Sequence, residues 1–108
     1  MKVLHLAAGN RWTGAAAPAF AEVEALRGAG MEAHYAYVGG YKLEAKLRHH
    51  PFAHPLIEKA QNPAAFYRSA AALTELVRRE GIDVIHAHLT YDHWLARLVA
   101  RRSGARLP

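Results

Sequence analysis

A chain of 108 residues, 52% hydrophobic and 21% charged, is long enough to bury one core and has little room for a second. Its lack of cysteine excludes a disulfide, a thiolate nucleophile and a cysteine-type zinc site, and fits a reducing, cytoplasmic setting. The formal charge of +5 points to an anionic partner such as a phosphate or an acidic lipid surface at the membrane periphery; with no aromatic-basic signature, nucleic acid is not expected.

The first segment, "KVLHLA" (Lys2–Ala7), is a short apolar run that breaks at Gly9-Asn10. It reads as a strand buried on both faces, the kind found in parallel sheets. It is too short for a signal peptide, and no apolar run in the chain reaches the roughly 18 to 20 residues of a membrane span. In "GAAAPAFAEVEALRGAG", Ala16, Phe20, Val23 and Leu26 recur at helical spacing, with Pro18 in the first turn and Gly28 or Gly30 at the end. "MEAHYAYVGG" sets Glu32 and His34 against Ala33, Tyr35 and Tyr37, a second strand closed by Gly39-Gly40.

From Tyr41 to Gln61 the pattern weakens. "KLEAKLRHH" predicts a helical turn or two, and "HPFAHP" a loop broken by Pro51 and Pro55. Asn62-Pro63 then opens a helix, Asn as cap and Pro at the first helical position, with Phe66, Ala70, Leu73 and Val77 on one face and Gly81 at the end. "IDVIHAH" is a third strand. Asp92 caps a last helix, "HWLARLVARR", whose Leu95, Leu98 and Val99 face inward and which Gly104 stops. Arg78-Arg79 and Arg101-Arg102 fall at helix ends, where cations complement the helix dipole. Strands alternating with helices imply an α/β fold, a Rossmann-like parallel sheet with helices on both faces. "ARLP" reads as the run-up to a further strand, so residues 1–108 are expected to be an incomplete domain.

The loop "AAGNRWTGAA" lacks both the G-x-G-x-x-G fingerprint and the G-K-[ST] of a Walker loop, since Gly14 is followed by Ala15-Ala16. Thr13 and Gly14 nevertheless sit where a ligand's phosphate or hydroxyls lie in open α/β sheets. "DVIHAHLTYDHW" holds His86, His88, Asp92 and His93. His86 and His88, two apart on a strand, share a face and have the spacing to chelate zinc. The run partly resembles the H-x-H-x-D-H of metallo-β-lactamase-like hydrolases, but Asp92 and His93 come two positions late and no further ligands follow. It is therefore read as a strand ending at a cleft, not a metal site, with His86 buried in the strand and His88 at its lip.

"MKVLHL", the helix ending in "LRGAGMEAHYAYVGG", and above all "LVRREGIDVIHAHLTYDHWLARLVARRSGARLP" resemble the N-terminal domain of GT-B glycosyltransferases of the family-4-like group. The resemblance implies retaining transfer of a sugar from a nucleotide-sugar donor to an acceptor, with no cofactor. Thr13, Gly14 and His88 would then lie on the substrate side of the cleft, with a C-terminal donor domain completing it. Two other readings stand beside this one: a non-catalytic α/β binding or assembly module, and a metal-dependent hydrolase. The strand at Asp83–Ala87 is expected to lie beside the first strand and to form a bare edge open to self-association.

Overall fold

The computed structural model describes residues 1–8, 16–40 and 42–108, with residues 16, 42 and 43 described by backbone alone. Eight elements follow in order: β1 (Lys2–Ala7), α1 (Ala16–Gly28), β2 (Glu32–Val38), α2 (Lys42–Leu47), β3 (Ala53–Ile57), α3 (Pro63–Glu80), β4 (Val84–Ala87) and α4 (Thr90–Ser103). The strands form one parallel sheet in the order β3-β2-β1-β4. β1 is thus interior, in keeping with its mainly apolar run, and β4 lies beside it.

The pleat sends alternate residues of each strand to opposite layers. Leu4, Leu6, Ala36, Val38, Ile85 and Ala87 face α3 and α4, where Leu73, Leu76, Leu95 and Val99 are fully buried against them. Ala7, Ala33, Tyr35 and Tyr37 face the other way, beneath Phe20 and Val23 of α1 and Leu47 of α2. Helices therefore cover both faces. Among the described residues, no helix is long and apolar enough to cross a membrane.

The helix ends obey local chemistry. Asn62 Oδ1 accepts a hydrogen bond from the Ala65 N–H at 2.8 Å, with Pro63 in the first turn. Gly81 closes α3 at φ 68°, a left-handed conformation that costs glycine little. Arg78 extends from the last turn of α3 to donate to the Arg102 carbonyl at 2.6 Å, so one basic pair caps the carbonyl end of the other pair's helix.

Three expectations need correction. The segment 53–57, read as loop, is β3; its Pro55 is tolerated because β3 is an edge strand, where a missing N–H costs no ladder bond. α4 begins two residues before Asp92, so Asp92 caps from its third position and not from outside the helix. The β4 edge is partly covered: the Arg106 N–H donates to the Asp83 carbonyl at 2.8 Å and the Ile85 N–H to the Arg106 carbonyl at 2.9 Å.

A second histidine pair lies on the α3 side of the sheet. His34, buried in β2, shares a 3.0 Å hydrogen bond between its Nδ1 and His54 Nε2, and its Nε2 meets Glu32 at 3.1 Å. Burial first, then the neighbouring His34 and Arg79, lower His54 from 6.5 to about 4, against an opposing pull from Glu80. Unfolded chains take up this proton as pH falls through 6.5, whereas the folded chain refuses it until about 4. The stability held above pH 6.5 is therefore lost progressively towards pH 4. In urea titrations at pH 7 and 4.5, His54→Gln should show a smaller pH difference in midpoint than the parent. An equal difference in both would refute the assignment.

Candidate functional site

β1 and β4 end side by side, and α4 starts immediately beyond β4. Asp92 ties these ends together. Its side chain is wholly buried; Oδ1 accepts from the Ala8 N–H at 2.7 Å and Oδ2 from the Leu89 N–H at 3.0 Å. Burial pushes the carboxyl up to about 6, against the pull of these N–H groups, so it remains ionised at neutral pH. The carboxyl edge of the sheet is thus clamped from inside by one side chain.

Above the clamp, on the α1 face, three imidazoles converge. Parallel register places His5 of β1 opposite His86 of β4, and His88 follows on the same face as His86. His5 Nδ1 and His88 Nε2 lie 2.9 Å apart in a hydrogen bond whose direction is set by the tautomers. The His86 and His88 rings stack at 4.7 Å between centroids, and His5 lies 4.8 Å from the first and 5.2 Å from the second. Glu22, exposed on α1, faces the group from above: one ligand atom from each of His5, Glu22, His86 and His88 falls within 4.8 Å of all the others.

Burial lowers His5 from 6.5 to about 4, with His86 and His88 adding to the effect and Glu22 opposing it. His88 is lowered for the same first reason, then by His86 and His93, again against Glu22. Both are therefore neutral at pH 7 and carry free or exchangeable lone pairs. The arrangement can accept or donate hydrogen bonds to a polyhydroxyl ligand, or coordinate a cation.

Of the predicted site residues, His88 stands at the carboxyl edge of β4 as expected. Thr13 and Gly14 lie outside the described residues. His86 was expected to be buried within the strand and is only partly buried, like His88 at the lip; the fully enclosed member is His5, at 1% exposure. His93 is exposed on α4. His5 and Glu22 were missed as site residues. The available signal was His5 itself, a polar residue inside an otherwise apolar β1. Glu22 carries no such local signal, since it is brought to the histidines from α1 by the fold.

A sequence model of Glycosyltransferase Family 4 matches residues 12–108. No curated protein sequence matches the chain. Among solved structures, MurG of Acinetobacter baumannii is similar over 98% of this chain and 34% of its own, at 17% identity and a TM-score of 0.76. A glycosyltransferase from Rickettsia africae ESF-5 is similar over 98% of this chain and 28% of its own, at 20% identity and a TM-score of 0.74. The chain thus spans about a third of the length of these structures, and at such identities the likeness is one of fold.

Proposed function

The chain belongs to glycosyltransferase family 4, and from that premise we propose that it is the N-terminal, acceptor-side domain of a two-domain enzyme. That enzyme moves a sugar from a nucleotide-sugar donor to an acceptor hydroxyl. The acceptor oxygen bonds to the anomeric carbon with retention of configuration as the bond to the diphosphate breaks; the nucleoside diphosphate leaves with the electron pair, and its oxygen takes up the proton that the acceptor hydroxyl loses. The donor binds mainly to a second domain, which carries most of the stabilisation of the departing charge. This domain positions the acceptor in the cleft between the two.

The observation that supports this reading most is the family match across residues 12–108, which includes β4, His88 and α4. His88 is neutral and its Nε2 is turned to His5, so Nδ1 is the nitrogen proposed to meet a sugar or acceptor hydroxyl. Thr13 and Gly14 are proposed to line the same cleft from the loop after β1. The cell compartment proposed is the cytoplasm, with the basic surface near anionic lipid.

Donor consumption and product anomers, followed by nuclear magnetic resonance, test the proposal. The 108-residue chain alone is expected to consume no nucleotide-sugar, and the chain joined to a donor-binding domain to transfer with retention. Turnover by the chain alone, or inversion by the joined protein, would sink it.

A further inference from the structure

Three histidines from two neighbouring strands and a carboxylate from the covering helix make a ligand set that glycosyl transfer does not require. We propose that His5, His86, His88 and Glu22 form a binding site for a divalent transition-metal ion of the zinc class. The site ties α1 to β1 and β4 at the carboxyl half of the sheet.

Chemistry selects the ion. Three imidazoles and one carboxylate are the nitrogen-rich donors that zinc, nickel and copper take, whereas calcium and magnesium prefer oxygen alone. His5 Nδ1 and His88 Nε2 share one proton in their mutual hydrogen bond, and moving that proton to the far nitrogen of its ring frees both facing lone pairs for an ion. Geometry is close to what coordination demands. Bonds of about 2.0 to 2.1 Å in a tetrahedron set ligand atoms about 3.4 Å apart. The four groups here lie within 4.8 Å, and His5 Nδ1 and His88 Nε2, at 2.9 Å, face one another directly. Small side-chain rotations, most of all by the exposed Glu22, bring all four to one centre.

A second cluster of this kind among the described residues, Glu32, His34 and Glu80, is a useful contrast. Both ring nitrogens of its His34 are engaged, one by His54 and the other by Glu32, so its hydrogen bonds are already closed. It carries no proposal and supplies a control.

The test needs neither sugar donor nor acceptor. Chelator-treated chain is titrated with Zn2+ by calorimetry, and its thermal midpoint is followed with and without the ion. About one ion per chain is expected to bind, raising the midpoint by roughly 5 °C or more at saturating Zn2+, because an ion bound only to the folded state stabilises it. Ca2+ and Mg2+ should do neither. His86→Ala and Glu22→Gln, each checked by circular dichroism in chelator, should weaken Zn2+ binding at least about tenfold, the low end for disturbing a metal site. Glu32→Gln and His93→Ala should bind like the parent. Because Glu22 is exposed on a helix, its variant keeps the fold and the experiment remains decisive if His86→Ala unfolds. Absence of saturable Zn2+ binding, or parent-like affinity in either folded variant, overturns the proposal.

Discussion

Asp92→Ala is expected to destabilise the domain by about 3 kcal/mol, a loss visible as a fall of roughly 15 °C in thermal midpoint. The carboxylate is wholly buried and serves two main-chain donors at once, Ala8 at the exit of β1 and Leu89 at the start of α4. Removing it leaves the buried Ala8 N–H without an acceptor, at about 1–3 kcal/mol, and the partly buried Leu89 N–H without its cap, at a smaller cost of about 1 kcal/mol. It also removes the negative charge from the first turn of α4, worth a further few tenths to ~1 kcal/mol. Release from desolvation, which pushes the carboxyl up to about 6, offsets part of this total. Asp92→Asn retains one acceptor but presents an N–H₂ to the other donor, so it should fall between alanine and the parent. Thermal melts at pH 7 decide the matter. An alanine variant within ~0.5 kcal/mol of the parent, the usual range of surface changes, would show that Asp92 is not the clamp.

That clamp was only half legible in the sequence. Asp92 was identifiable as a helix-start residue, because a carboxylate before an apolar-periodic run has few other reasons to be there. Its second bond, to Ala8, joins residues 84 positions apart, and no local pattern contains it. The same limit explains His5. Periodicity places it in β1 and the parallel arrangement puts β1 beside β4, but the register that sets His5 opposite His86 depends on packing of the whole sheet. β3 was lost for a different reason: His54 and Pro55 at its centre mask a five-residue edge strand whose apolar residues number too few to show an alternation. By contrast α3 was plain throughout, since its cap, its inward face and its terminal glycine are all local signals.

The interior position of β1 leads to the second large effect. Leu4→Ala should cost about 3–5 kcal/mol, the upper part of the range for a truncated core leucine. Leu4 is fully buried, and its strand is hydrogen-bonded on one side to β2 and on the other to β4. A strand held on both edges cannot sink towards α3 and α4 to fill the gap, so most of the cavity persists. Set against a total of about 5–15 kcal/mol for a domain of this kind, the loss approaches the whole margin of stability. Leu89→Ala is the contrasting case: Leu89 is 36% exposed at the start of α4, and its truncation should change stability by no more than ~0.5 kcal/mol. Urea unfolding of the two variants measures both, with the midpoint shifted and the slope unchanged for Leu4→Ala if the denatured state is unaltered. Similar midpoints for the two would mean that Leu4 does not lie in the layer between the sheet and α3 and α4. The assignment of His5, its neighbour in the pleat, to the opposite face would then fail with it.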